Sequence, residues 1–482
     1  DASRVILAVS AQKSGVVVPT DAQLRDALNA ADKTAVTAWN DTAGSAVLMA
    51  RVPEPAAIAD RRTIPELGVT VVRFANGIEG WFKATDFKND QVLFSMTASG
   101  GASLAPPAQY PEATLAPALV ELSGIGGHSA VDLQKLLAGK IASASPFVSA
   151  SSHGISGSST PANLETALQL LNLSFTAPGD DPQAFALIRK QLEASYANRD
   201  NNPGLLFREK VVQVNTSNHF TSRPLTLERI GTLDRGAMAS FYKQRFSNAA
   251  DFTFFMVGAF KLDEAVPLAA RYVGSLPTTG KTSSRFADLA VKFPATTERA
   301  SIEKGREPRA QTVVSFFADP PIEENEQTRV AAATDVLEIA LRDILREALG
   351  ETYNVSAGLA QALPQRGGGH VTVSFAGSPD NIPKMIDRTL QEVTRLQQEG
   401  PSEDLVNRAK ETARRAHETA LRQNGFWLGR LQSAKLLDRD PLLILKREER
   451  IAALTRENIQ AVFKQYFPLD RYTVVTLMPE KK

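Results

Sequence analysis

Metal or general-base chemistry in this chain has five histidines to draw on, His128, His153, His219, His370 and His417, and no cysteine. The missing cysteines remove disulfides, thiolate metal sites, iron–sulfur clusters and cysteine nucleophiles together. A zinc helix needs two histidines four apart with a carboxylate beside them. His417-Glu418-Thr419-Ala420 begins that pattern, but Leu421 stands where the second histidine is required. The inverted order His-x-x-Glu-His does not occur, and no two histidines lie within ten residues of each other. His417 therefore reads as a surface histidine on a charged helix, and no metal is expected to bind this chain.

Other spacings fall short for physical reasons. Gly274-Ser-Leu-Pro-Thr-Thr-Gly280-Lys281-Thr282 approaches a phosphate loop, yet has five residues between its glycines, contains Pro277 and follows a helix where a strand is needed. Ser10-Ala-Gln-Lys13 has a Ser/Lys spacing without the companion motifs. Gly124-Ile-Gly126-Gly127 follows a helix and reads as its termination. The run Ser143–Ser159 holds His153 but no Gly-x-Ser-x-Gly elbow, and reads as a flexible or exposed strand edge. One pair remains. A helix over Asn325–Leu349, with Asn325 as N-cap and Val336, Leu337, Ala340, Leu341, Ile344 and Leu345 on its apolar stripe, is closed by Gly350 and followed by a strand alternating Tyr353, Val355, Ala357. Arg346 falls in the last helical turn and Tyr353 at the strand entrance, so both can project toward one end of a sheet. By themselves they suit a cation at a helix C-terminus and an aromatic packed at a strand end.

The elements around them repeat. Leu233–Phe246, ending Tyr242-Lys243-Gln244-Arg245-Phe246, has a counterpart in Leu454–Phe467, ending Phe463-Lys464-Gln465-Tyr466-Phe467. Each leads into an apolar strand, Phe252–Gly258 or Tyr472–Leu477. In the first half Val69–Phe74, Val92–Thr97 and the neighbourhood of Phe147–Ser151 read as strands; Ala113–Leu122, Ala130–Leu137, Leu164–Leu173 and Asp181–Ala197 read as helices. In the second, Thr312–Phe317, Tyr353–Leu359 and His370–Ala376 are strands, and Ile382–Gln398 and Ser402–Leu421 are helices. Grouped strands and helices indicate an α+β class: two homologous domains, each a largely antiparallel sheet with helices on one face. At 482 residues the chain is too long for one ordinary core of about 100–200 residues. The expected division is 66–280 and 298–482 for the two domains, with a linker at 281–297 inside the Pro/Gly/Ser/Thr-rich stretch that starts at Pro277. Residues 1–65 are expected to be the end of a preceding domain, a strand at Arg4–Ser10, joined by an arm over 32–65; Thr20 or Asp21 should cap a short helix between them. The 54 Lys+Arg balance 53 Asp+Glu, so charge gives no argument for nucleic acid. No apolar run approaches 18 residues, so no membrane insertion is expected.

The Leu345-Arg346-Glu347…Gly350…Tyr353-Asn354-Val355 arrangement resembles the signature of the pitrilysin/insulinase-type zinc metallopeptidases, the inverzincins. The Phe255-Met256-Val257-Gly258 strand, the Ala269–Pro277 helix end and the order of elements in both halves are similar to that family as well. Such enzymes have two halves, each of two homologous α+β domains, closing around a peptide chamber; the first half binds zinc and the second usually does not. The resemblance implies that this chain is the second half, with zinc held by an N-terminal half in the same polypeptide or a partner subunit. It implies a peptide substrate, unfolded or extended, and carries Arg346 and Tyr353 over as groups that anchor substrate and stabilise the tetrahedral intermediate. A non-catalytic peptide-binding or assembly subunit of the same fold is the alternative. The lack of cysteine suits a bacterial periplasm or envelope and equally a cytoplasm.

Overall fold

The computed structural model describes residues 5–10, 15–35, 47–349 and 354–481, without the side chains of 346–349. Residues 1–46 and 47–482 form separate units. In the first, α1 (Asp21–Lys33) is capped by Thr20, which accepts from the Gln23 N–H while the Gln23 side chain takes the Thr20 N–H. No residue of α1 is buried. The strand expected at Arg4–Ser10 is not found: Val5–Ser10 belongs to no strand, and Val5, Leu7 and Val9 are exposed. An apolar segment becomes a strand only where a neighbouring edge takes its backbone hydrogen bonds.

The second unit holds two sheets. The first contains β1 (Ile58–Ile64), β2 (Val69–Phe74), β3 (Glu79–Ala84), β4 (Val92–Ser99), β5 (Ala142–Val148), β6 (Ser152–Ser159) and β7 (Phe252–Gly258), in the order β1-β2-β3-β7-β4-β6-β5. Its helices are α2 (Tyr110–Ser123), α3 (Ala130–Leu136), α4 (Leu164–Thr176), α5 (Pro182–Ala197), α6 (Pro203–Asn215), α7 (Leu227–Gly231), α8 (Arg235–Arg245) and α9 (Leu262–Tyr272). The second sheet contains β8 (Glu298–Glu303), β9 (Ala310–Phe317), β10 (Val355–Ala360), β11 (His370–Gly377) and β12 (Tyr472–Met478), in the order β10-β11-β9-β12-β8. With it come α10 (Glu324–Leu349), α11 (Ile382–Gln398), α12 (Glu403–Ala420), α13 (Asn424–Leu436), α14 (Arg447–Ala452) and α15 (Arg456–Tyr466). Helix α10 starts at Glu324, so Asn325 sits in its first turn instead of capping it.

Both domains share one topology. The order β3-β7-β4-β6-β5 recurs as β8-β12-β9-β11-β10, and in each the sole parallel pairing is the first, β3 with β7 and β8 with β12. The run α6, α7, α8, β7 returns as α13, α14, α15, β12 at an offset of about 220 residues. The first sheet adds β1 and β2, so residues 58–64 of the expected arm are an edge strand paired antiparallel with β2.

Each sheet packs its own domain's helices on one face. In the first, Phe82, Phe94, Met96, Phe254 and Met256 meet Leu119, Leu168 and Tyr242; in the second, Val314, Phe316 and Val474 meet Leu337, Leu341 and Phe463. The opposite faces are covered by exchange. Trp427 and Leu431 of α13, with Ile444, pack on Val69, Val71, Trp81, Phe255 and Val257 of the first sheet. Phe207 of α6 packs on Val475 and Leu477 of the second. Asn215, at the end of α6, donates to Ser315 Oγ at 2.9 Å and accepts from Thr473 Oγ1 at 2.6 Å. A helix from each domain thus completes the other domain's sheet, which explains why β7 and β12 are apolar without alternation.

The Ser/Gly-rich run expected as an exposed edge is the β5–β6 hairpin, and β6 lies inside the sheet between β4 and β5. Glycine is required there: a Cβ on Gly157 would stand 2.3 Å from the Phe94 ring. Between α9 and β8, residues 273–297 form no helix or strand but are laid on the body, with Ser284 donating to Ser99 O at 2.6 Å and Phe293 buried.

Candidate functional site

The segment that joins α10 to β10 holds the pair singled out from sequence. Arg346 lies in the last turn of α10, and its side chain falls outside the described residues, as does all of Tyr353. What flanks them is fixed. Leu337, Leu341 and Leu345 are fully or almost fully buried on α10, and Val355 is buried at the start of β10. Glu338 pairs with Arg342 and accepts the Ala357 N–H at 3.0 Å, tying the helix to this edge strand.

The five histidines are dispersed through the fold. His153 on β6 is fully buried, accepts the Gly101 N–H at Nδ1 (3.2 Å), faces Arg245 O at 3.3 Å and meets Phe246 and Phe252 edge-on. Burial, reinforced by the charge of Arg245, holds it down to a pKa of about 4, so it is neutral. His128 contacts Leu48 O at 3.2 Å, His219 contacts Thr221 Oγ1 at 2.9 Å, and His370 contacts Gly368 O at 2.8 Å. His417 is not the surface residue its charged helix suggested: it is 6% exposed, edge-on to Phe426, with Nδ1 lacking a hydrogen-bond partner among the described residues. Burial, together with the Arg447 charge, lowers its pKa. Among the described residues no group of three or more histidine or acidic side chains could hold a metal ion. The described residues thus offer no set of the three or four converging donors that zinc needs.

A different site is built where the domains meet. A cavity of about 670 Å³ is walled by Thr97 and Ser99 of β4, the β5–β6 turn, the start of α10, the segment after β10, and α13 with the residues following it. Its charged lining is Glu324, Arg430, Arg439 and Arg447. Glu324, the first residue of α10, accepts from Arg430 Nη2 at 2.9 Å on both oxygens, from Arg439 Nη1 at 3.0 Å and from Arg450 Nη2 at 3.2 Å. One carboxylate, 11% exposed, therefore serves three guanidinia. Arg447 also lines the cavity and has neither a hydrogen bond nor an ion pair among the described residues. Both Glu324 and Asp335 act on its charge, and Asp335 is pushed up to a pKa of about 6 by burial and by Glu338, against the pull of Arg447. Nothing in the sequence marks these residues as a set, since Glu324 and the arginines are spread over more than a hundred positions.

The family model for the Peptidase M16 inactive domain matches residues 232–413. A zinc protease PQQL-like protein of Arabidopsis thaliana is 25% identical over 480 residues, covering 92% of this chain and 47% of that protein. The probable zinc protease PqqL of Escherichia coli (strain K12) is 25% identical over 433 residues, covering 88% of this chain and 45% of that one. The chain spans about half the length of the curated relatives it matches. The crystal structure of the periplasmic protease PqqL from Escherichia coli shares the fold at a TM-score of 0.76 and 20% identity, over 96% of this chain and 51% of that one. Residues 232–413 thus match the inactive domain of the M16 peptidases, and the chain as a whole is similar to zinc proteases of that pitrilysin/insulinase type.

Proposed function

We propose that this chain is the substrate-binding, non-zinc half of a metalloendopeptidase that cleaves unfolded or extended peptides and is inactive until joined to a zinc-binding half. The observation that carries the reading is a two-domain fold that overlays half of a periplasmic protease while its sequence matches an inactive domain. Zinc, held by the other half, would supply Lewis-acid activation of water. This chain's own contribution is at the substrate: Arg346 and Tyr353, on either side of the α10–β10 connection, would hold the peptide and donate to the oxygen on which negative charge develops. The name of the Escherichia coli relative supports a periplasmic setting, and the other half is the principal partner.

The test is reconstitution. Joining this chain to a zinc-bearing half should give chelator-sensitive cleavage of an unstructured peptide; no such cleavage in any combination would leave a peptide-binding or assembly role instead. Tyr353→Phe should lower kcat about 10²–10³-fold if its hydroxyl acts as an oxyanion donor, with peptide affinity little changed. An equal loss of kcat and affinity would remove Tyr353 from the transition state.

A further inference from the structure

The lining of the interdomain cavity sets three arginines, Arg430, Arg439 and Arg447, against one carboxylate, Glu324. Glu324 is shared among Arg430, Arg439 and Arg450, and Arg447 has no partner of its own among the described residues. Arg439, which lines the cavity, has Nε and Nη2 buried without hydrogen-bond partners among the described residues. Buried donors left unmade are costly, and a set of them beside a cavity is a site prepared for an acceptor. The N-terminus of α10 adds its partial positive charge on the same wall. Around the guanidinia the lining is mixed, with Ser151, Ser152 and Thr328 as hydroxyl donors and Phe147, Leu359 and Leu436 as apolar wall. At about 670 Å³ the space suits a short stretch of peptide and far exceeds a bare ion.

We propose that this cavity is a subsite for a peptide carboxylate, received by Arg447 and Arg430 as a fork of charge-assisted hydrogen bonds, with the adjoining apolar wall taking a neighbouring side chain. The carboxylate is either an acidic side chain or the peptide's C-terminus. The subsite is built at the C-terminal end of β10, at Leu359–Pro364, from residues other than the pair assigned to the reaction. It deepens the peptide-binding reading and rests on it.

The experiment uses the full 482-residue chain and four fluorescently labelled ten-residue peptides: one with Asp/Glu side chains and a free C-terminus, one with the C-terminus amidated, one with the side chains changed to Asn/Gln, and one with both changes. Anisotropy titrations at low salt should show the doubly neutral peptide binding at least about tenfold more weakly than the fully charged one, a factor in line with losing one charge-assisted hydrogen-bonded pair. The two singly changed peptides identify which carboxylate is read. Arg447→Gln should abolish the discrimination and Arg447→Lys should restore part of it, each with an unchanged circular dichroism spectrum. Equal binding of all four peptides, or discrimination that survives Arg447→Gln, would overturn the subsite. Displacement of the charged peptide by inorganic phosphate at comparable concentration would also overturn it, because the site would then read any anion. Failure here is distinguishable from failure of the peptidase reading: binding to this chain needs no zinc, and cleavage by the reconstituted enzyme with no charge preference would remove the subsite alone.

Discussion

Replacing Glu324 with Gln tests whether one carboxylate holds the arginine cluster together. The change is isosteric, so packing is kept and only the charge and one acceptor are lost. Arg430 is 27% exposed on its side chain and can turn to water, but Arg439 at 12% and Arg450 at 6% cannot. Charge-assisted hydrogen bonds are worth about 1.5–3 kcal/mol each, and a buried ion group that loses its partner costs about 3–5 kcal/mol. Glutamine keeps one acceptor oxygen and turns an amide donor toward a guanidinium, so one of the two buried bonds survives at most. The expected destabilisation is about 3 kcal/mol. Urea unfolding followed by circular dichroism should show a lower midpoint at unchanged slope, with the gap narrowing as salt screens the guanidinia. Peptide carboxylate binding by the folded variant should move the other way and tighten, because Glu324 competes with the ligand for the same donors. An unchanged or raised midpoint would refute the view that the cluster depends on Glu324. Weakened carboxylate binding would refute the competition.

Two further changes probe the frame. Trp427→Ala, which removes a 6% exposed side chain from the face of the first sheet and leaves its contact with the Lys83 ammonium, 4.1 Å above the ring, unmade, should cost about 3–5 kcal/mol and lower the melting temperature; a loss under about 1 kcal/mol would mean that α13 does not seal that sheet. His153, held to a pKa of about 4 when folded against 6.5 as its ordinary value, binds its proton more readily in the unfolded chain. Its contribution to stability is therefore full above pH 6.5 and falls as the pH drops from 6.5 toward about 4, by up to about 3 kcal/mol. His153→Gln should flatten that part of the urea midpoint against pH; an unaltered profile would place the dependence elsewhere.

How much of this was legible in the sequence depended on where each element finds its neighbours. Elements buried against their own domain were readable: Ile382–Gln398 agrees to the residue with α11, and the pairing of Leu233–Phe246 with Leu454–Phe467 marked α8 and α15 as equivalents. Elements whose burial comes from the other domain were not. Helix α13 carries Trp427 and Leu431 toward the first sheet while Phe426 reaches His417 on α12, so its apolar residues show no single stripe. The same contact hid the burial of His417, because α12 alone looks charged on every exposed turn. Strands β3 and β8 escaped notice because Gly80 and alternating charges interrupt them, although each is the parallel partner of the closing strand. The arginine cluster was illegible for a stronger reason: arginines at 430, 439, 447 and 450 are ordinary helix and loop residues until the start of α10 brings Glu324 among them.

The exchange of covering helices bears on what kind of site the interdomain cavity is. Were the domains joined only by residues 273–297, the space between them would open and close with the linker, and its charges would meet water in the open form. Instead α6 seals the second sheet and α13 the first, with Asn215 bonded to both Ser315 and Thr473, Gln432 donating to Ser95 at 2.7 Å and Thr97 at 3.0 Å, and Lys435 paired with Glu79 at 2.8 Å. Separating the domains would expose Trp427, Leu431 and Phe207 together, at about 1.5–3 kcal/mol for each large apolar side chain. The cavity is therefore a fixed seam between the two domains, with its guanidinia preorganised before any ligand arrives, and a peptide enters it without the domains having to part.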